Sequence, residues 1–165
     1  MIHIPPVPNY HNMANTYTQI HIHFVFVVKY RKSLIQPTWK SLLHAYITGI
    51  VQNNNHKMLI INSMPDHIHM LVGFRPDQSV SQLMSIVKGK SSDWINHQNL
   101  SEHIFHWQSG YAGFSYAKSD LKRVIRYIEN QEEHHRRKSF NEEILLLLEE
   151  FGIPYDEKYI LKSPE

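Results

Sequence analysis

The sequence contains no cysteine among its 165 residues, which excludes a disulfide framework and any thiolate metal site. A bound metal ion would therefore need nitrogen and oxygen ligands, and the chain is rich in one of these, with 13 histidines. No apolar run approaches the length of a membrane span, and the start MIHIPPVPNY lacks the charged and apolar regions of a signal peptide. We therefore expect a cytoplasmic protein with no membrane partner.

Acidic residues are missing from the first part of the chain. None precedes Asp66, whereas five lysines and arginines do. Residues 1–140 carry 15 Lys and Arg against 8 Asp and Glu, while residues 141–165 carry 2 against 7. A basic body with an acidic tail favours a polyanionic partner, nucleic acid being the commonest, although ordinary solvated surface gives the same pattern.

Hydrophobic periodicity predicts alternating strands and helices after a flexible start at residues 1–15. The predicted strands are 19–28, 58–61, 68–74 and 111–117, and the predicted helices begin at Pro37, Ser79, Ser119 and Asn141. This order predicts an α+β fold of the ferredoxin-like (RRM-like) type, an antiparallel sheet with helices on one face and extra C-terminal helices. We expect residues 16–140 to form one domain, with the acidic helix and tail of residues 141–165 packed on it.

Two histidines lie one residue apart in the apolar stretch MPDHIHMLV, residues 64–72. Strand alternation places His67 and His69 on the same face and Ile68 on the opposite one, so that two imidazoles ~7 Å apart along the strand can converge on one ion. Two satisfied histidines on a half-exposed sheet would have the same spacing. His21 and His23 repeat that spacing on the first predicted strand, so the spacing alone does not identify a metal site.

A tyrosine stands apart from the apolar stripe of the third predicted helix, SDLKRVIRYIENQEEHH. Tyr127 shares its helix face with Arg123 and with Gln131, one turn further on, whose amide oxygen is a suitable hard ligand. A tyrosine in this position is commonly plain amphipathic surface. It can also be a nucleophile when cations polarise the group that it attacks.

In their order along the chain, these segments resemble the HUH single-tyrosine transposases of the smallest bacterial insertion sequences and their REP-associated relatives. The resemblance spans roughly residues 17–131 and is carried by FVVKYRK (26–32), MPDHIHMLV (64–72), VKGK (87–90) and YIENQ (127–131). The YIENQ ending favours the insertion-sequence branch. His21 and His23 lie outside the metal motif, so we expect structural or DNA-facing roles for them and no loss of metal affinity when they are replaced.

The resemblance implies site-specific cleavage and rejoining of single-stranded DNA. Tyr127 would attack a backbone phosphorus and form a 5′-phosphotyrosine, with a divalent metal on His67, His69 and Gln131. The resemblance implies Mg²⁺ or Mn²⁺, whereas ligand preferences alone would place Zn²⁺ or Mn²⁺ ahead of Mg²⁺. The expected partner is single-stranded DNA with hairpin-bearing element ends.

Further residues are candidates for DNA contacts. The candidates for backbone contacts are Arg31, Lys88, Lys90, Arg123 and Arg126, and those for base stacking are Tyr30, Trp94 and Trp107.

The resemblance also implies a homodimer whose active sites are shared between subunits. The first strand carries Val25 and Val27 on its second face, and a long apolar edge strand is usually covered or paired. Glycines at 110 and 113 could let the tyrosine helix dock on either subunit.

Two other functions compete with the transposase. A histidine-triad nucleotide hydrolase also has alternating histidines on a strand, but it needs a third one where this chain has Leu71. A domesticated transposase could keep the fold as a non-catalytic DNA- or RNA-binding regulator.

Overall fold

A four-stranded antiparallel sheet organises residues 16–164, the part of the chain that the computed structural model describes. The predicted flexible start, residues 1–15, lies outside the described residues. The strands are β1 (Ile20–Val27), β2 (Lys57–Ser63), β3 (His67–Phe74) and β4 (Ala112–Ser115). The helices are α1 (Pro37–Asn53), α2 (Val80–His97), α3 (Leu121–Glu129), α4 (Gln131–His135) and α5 (Phe140–Glu150). Within residues 16–164, no helix combines the length and apolar character of a membrane span.

The strand order is β2-β3-β1-β4, which confirms the predicted ferredoxin-like α+β fold. β1 pairs with β3 on one side and with β4 on the other, so the expectation that it is an edge strand is wrong. The run FVFVV at its end is apolar on both faces because both faces are covered, which is typical of a central strand.

The two faces of the sheet are covered by different helices. On the first face, α1 and α2 bury alternate side chains of β1 and β3, among them Phe24, Phe26, Ile68 and Met70. On the second face, α5 packs on Val25 and Val27, and α3 packs near Leu71. His67 and His69 belong to the second face, since they alternate with Ile68 along β3.

The helix termini on the second face differ from the prediction. Ser119 lies in a short 3₁₀ turn before α3 and does not cap it. α5 begins at Phe140, not after an Asn141 cap, because Ser139 and Glu142 form a capping box. The helix predicted to begin at Ser119 is interrupted at Asn130, whose ψ of 26° departs from regular helix.

Candidate metal centre and tyrosine site

Both HUH histidines are buried, and each is anchored through its Nδ1 atom. His67 Nδ1 lies 2.6 Å from Oδ1 of Asp66. A carboxylate accepts hydrogen bonds, so Nδ1 carries the proton in the neutral ring and Nε2 keeps its lone pair. His69 Nδ1 lies 2.8 Å from Nε2 of His23. The two Nε2 atoms are thereby left to face the second side of the sheet, as a metal-ligating histidine pair requires.

His23 belongs to this site, which the sequence motif did not indicate. On β1 it pairs with Leu71, and it is therefore the diagonal neighbour of His69 across the strands. Burial, and then the nearby His69, hold the pKa of His23 well below its ordinary value. A neutral His23 can accept a hydrogen bond at Nε2 from the Nδ1–H of His69, and it thereby orients the His69 ring. His21, two residues earlier on the same strand, is partly exposed.

Tyr127 is brought to the histidines by α3, which crosses the second face over β2 and β3. Asn62 pairs with His69 in the sheet and donates a hydrogen bond of 2.8 Å to the carbonyl of Ile128, fixing the end of α3 beside that histidine. The rings of Tyr127 and His69 are 5.9 Å apart between centroids and nearly perpendicular. The tyrosine therefore lies beside the histidines of its own chain.

The hydroxyl of Tyr127 donates a hydrogen bond to a buried carboxylate, that of Glu143 on α5. Burial, and then the negative charge of this carboxylate, raise the pKa of the phenol. In this arrangement the phenolate is strongly disfavoured.

Gln131 opens α4 one helical turn after the tyrosine, and its side chain is buried in the same site. Its Nε2 donates to Oε1 of Glu143 over 3.1 Å, while its Oε1 has no hydrogen-bond partner. The oxygen predicted to bind a metal is thus buried near the two histidines. Its role as a ligand remains a prediction.

Besides His23, two residues of the site were not predicted from the sequence, Glu143 and His135. The carboxylate of Glu143 is 2% exposed and lies 2.8 Å from His135 Nε2, 3.3 Å from His69 Nε2 and 3.7 Å from His67 Nε2. These four side chains offer ligand atoms that all lie within 4.8 Å of one another, so the group can hold a metal ion.

Electrostatics favour the protonation states that metal binding needs. Burial alone would raise the pKa of Glu143, but the imidazoles of His135 and His69 outweigh it and hold that pKa well below its usual range. Burial lowers the pKa of His69 to about 4, although the carboxylate opposes this. At neutral pH the site therefore contains an ionised carboxylate and a neutral His69.

A signal for Glu143 was present in the sequence. The apolar stripe of α5 contains Phe140, Ile144 and Leu147, and Glu143 falls on the same face one turn after Phe140. A carboxylate on the buried stripe of an amphipathic helix needs a partner, because an isolated buried charge is very costly.

The buried polar atoms without hydrogen-bond partners concentrate at this site. Among the described residues, eight buried side-chain atoms lack such a partner. Six of the eight belong to His67, His69, Gln131, His134, His135 and Glu143. Such atoms are rare in proteins and need an explanation, for which shared coordination of an ion is sufficient. The donor set therefore fits a divalent metal.

Two of the five predicted DNA-backbone residues lie beside Tyr127. Arg123 and Arg126 line an open groove of about 830 Å³ together with Lys122, Arg137 and the tyrosine itself. This groove gives Tyr127 a basic approach from solvent.

The other three predicted backbone residues lie elsewhere. Lys88 donates hydrogen bonds of 2.6 Å to the carbonyls of Gln108 and Gly110, so it holds the segment before β4. Lys90 is exposed on α2, which packs on the first face of the sheet. Arg31 donates to the carbonyl of Pro164.

The candidate base-stacking residues also differ in accessibility. Trp107 is buried and donates through its indole nitrogen to Ser91, so it is a core residue and the stacking expectation for it is wrong. Trp94 is half-buried and already stacked on Tyr46. Tyr30 is 45% exposed and remains available.

Comparison with known proteins places this site in a family. The family model described as "Transposase IS200 like" matches residues 16–131, most of the chain. The ISDra2 transposase TnpA of Deinococcus radiodurans is 23% identical over 120 residues, covering 70% of this chain and 86% of that protein. The transposase for insertion sequence element IS200 of Salmonella typhimurium is 28% identical over 128 residues, covering 74% of this chain and 83% of that protein.

The fold comparison agrees. A structure of a REP-associated tyrosine transposase bound to a REP hairpin superposes with a TM-score of 0.56 at 16% identity, covering 76% of this chain and 74% of that one. His135 and Glu143 lie beyond the last residue that the family model matches, residue 131. The matched region contains both HUH histidines, the tyrosine and Gln131, and the chain belongs to the IS200-like transposase family.

Proposed function

We propose that this transposase cleaves and rejoins single-stranded DNA with Tyr127 as its nucleophile. The observation that carries the proposal is the convergence of the Tyr127 hydroxyl, His69 Nε2 and Gln131 Nε2 on one carboxylate oxygen of Glu143. A nucleophile and candidate metal ligands held around one anionic oxygen form a site into which a phosphate oxygen fits.

The covalent step balances without an external energy source. The phenolic oxygen of Tyr127 bonds to the scissile phosphorus while the bond from phosphorus to the 3′ oxygen breaks. The phenol proton leaves to an acceptor in the site or to solvent, and the departing 3′ oxygen gains a proton. The products are a 5′-phosphotyrosine and a 3′-hydroxyl, and attack by another 3′-hydroxyl reverses the exchange and joins two strands.

The HUH histidines and Gln131 would hold the metal that assists this step. His67 and His69 present Nε2, since their Nδ1 atoms are anchored, and Gln131 presents its unpartnered Oε1. A divalent ion held there, Mg²⁺ or Mn²⁺ by family resemblance, supplies a Lewis acid for the phosphate oxygen.

The basic groove beside Tyr127 is the path that we propose for the DNA backbone. Lys122, Arg123, Arg126 and Arg137 line it, and cations in such a groove attract a phosphate chain regardless of sequence. The REP-associated relative of known structure is bound to a hairpin. We propose hairpin-bearing ends of single-stranded DNA as the substrate of this chain as well.

We propose a homodimer as the working assembly, on family resemblance, with each active site formed within one subunit. Tyr127 contacts the histidines of its own chain. The central position of β1 removes the edge-strand argument for pairing, so the dimer rests on family resemblance alone. Light scattering at micromolar concentration tests the dimer, and a fully active monomer would contradict it.

The test of cleavage is formation of a covalent protein–DNA adduct. The full chain is incubated with single-stranded DNA carrying candidate element ends, with and without Mn²⁺, and separated on a denaturing gel. We expect an adduct that requires Mn²⁺ and disappears in Tyr127→Phe, while Tyr116→Phe retains it. DNA binding without any adduct in the unaltered chain would favour the non-catalytic regulator.

A further inference from the structure

The carboxylate of Glu143 and the imidazole of His135 come from helices that follow the family-matched region, yet they lie at the centre of the site. Glu143 Oε2 and the Nε2 atoms of His67, His69 and His135 all lack hydrogen-bond partners. The three nitrogens lie 2.8–3.7 Å from an oxygen of the carboxylate. Groups that share an ion are arranged in this way.

The spacing of these atoms agrees with coordination. Four ligands placed tetrahedrally at the zinc–nitrogen bond length of about 2.0–2.1 Å are about 3.4 Å apart. Glu143 Oε2 lies 2.8 Å from His135 Nε2 and 3.7 Å from His67 Nε2, and the other carboxylate oxygen, Oε1, lies 3.3 Å from His69 Nε2. These distances bracket the tetrahedral value. The carboxylate and the imidazoles of His67 and His69 are buried, so water does not solvate them.

We propose that in the DNA-free chain, where the Gln131 amide donates to Glu143, the metal centre has four ligands, His67, His69, His135 and Glu143, and that Glu143 occupies the coordination position which a DNA phosphate takes during catalysis. The exchange of Glu143 with a DNA phosphate rests on the proposed function, whereas the four-ligand centre does not. Three imidazoles and one carboxylate favour a borderline transition ion over Mg²⁺. Of the two ions implied by family resemblance, the donor set therefore selects Mn²⁺.

Glu143 is the ligand that exchanges because the reactive groups all face it. Tyr127 donates its hydroxyl hydrogen bond to Glu143, and Gln131 donates to the same oxygen. A carboxylate oxygen and a non-bridging phosphate oxygen are both anionic acceptors. While Glu143 is in place, a phosphate cannot reach the tyrosine and the histidines together.

The test uses Co²⁺ as a spectroscopic probe of the full-length, metal-free chain. Four-coordinate Co²⁺ absorbs visible light much more strongly than six-coordinate Co²⁺. We expect strong absorption for the unaltered chain, and weakened absorption with at least about 10-fold lower affinity for Glu143→Ala and His135→Ala. Glu149→Gln, on the exposed side of α5, should behave as the unaltered chain. Circular dichroism and Glu143→Gln, which keeps the side-chain shape, separate ligand loss from misfolding.

Inorganic phosphate then tests the exchange. We expect phosphate to change the Co²⁺ spectrum of Glu143→Ala at least about 10-fold more readily than that of the unaltered chain, since the position is open in the variant. Equal Co²⁺ spectra and affinities for a folded Glu143→Ala and the unaltered chain would overturn the four-ligand centre. Altered Co²⁺ binding without improved phosphate binding would overturn the exchange. Neither result depends on adduct formation, so failure of the cleavage assay is a separate outcome.

Discussion

Replacing His23 by leucine removes the acceptor to which His69 is tied, and metal affinity is expected to fall as a result. The Nδ1 of His69 lies 2.8 Å from the Nε2 of His23, and both rings are fully buried. No water replaces the lost acceptor at such depth, so the Nδ1–H of a metal-bound His69 is left unpaired at a cost of about 1–3 kcal/mol. Loss of such an orienting partner typically weakens metal binding 10–100-fold, or about 1.4–2.7 kcal/mol.

The assay is calorimetric titration of the full chain with Mn²⁺ at neutral pH, with thermal denaturation to show that each variant folds. His23→Gln restores an acceptor at nearly the same position and should recover most of the affinity. His21→Leu, on the same strand and face, is the matched control and should bind Mn²⁺ as the unaltered chain does. Full Mn²⁺ affinity in His23→Leu, or an equal loss of affinity in the His21 and His23 variants, would contradict the role of His23 in orienting His69.

Three further predictions concern assembly, pH and helix capping. A mixture of Tyr127→Phe and His69→Ala chains should form no adduct in the denaturing-gel assay, because we propose that each site is built within one chain; recovered adduct would place the tyrosine in trans. Burial lowers the pKa of His44 to about 4, so the neutral form that the fold prefers is fully stabilising above about pH 6.5 and that stability is lost towards pH 4. Urea titrations across this range should show the unaltered chain losing about 2 kcal/mol more than His44→Gln, the value being reduced for partial solvent screening, and parallel curves would contradict it. Ser139→Ala should lower the free energy of unfolding by about 1 kcal/mol, and Asn141→Ala by less; the reverse order would restore the cap expected from sequence.

Local patterns predicted the parts of the site that lie on one element. Strand alternation is a property of the backbone, so the shared face of His67 and His69 follows from their spacing. The one-turn separation of Tyr127 and Gln131 likewise follows from helix geometry. The proximity of these two pairs was indicated only by resemblance to a family.

Contacts between elements were beyond local patterns. The meeting of Glu143 with His135 depends on the interruption at Asn130 and on the packing of α5 against Val25 and Val27. The central position of β1 depends on which strand pairs with its second edge, and that partner, β4, lies far along the chain. The link between His23 and His69 arises from the register of β1 against β3, two strands that no turn joins and that are aligned by their hydrophobic faces.

Helix α5 both covers the second face of the sheet and places Glu143 in the candidate site, and these two roles make opposite demands on how firmly it is packed. Its apolar side chains shield Val25, Val27 and Phe114 from water. If α5 left the sheet, these residues would form an exposed apolar patch, which favours aggregation. Its one buried carboxylate, that of Glu143, accepts the hydrogen bond of Tyr127, the proposed nucleophile. Substitutions that strengthen the apolar contacts of α5 should therefore raise the melting temperature and lower the turnover rate. Substitutions that weaken those contacts should lower the melting temperature and raise the turnover rate. Stability and reactivity of this transposase would then be selected through a single helix.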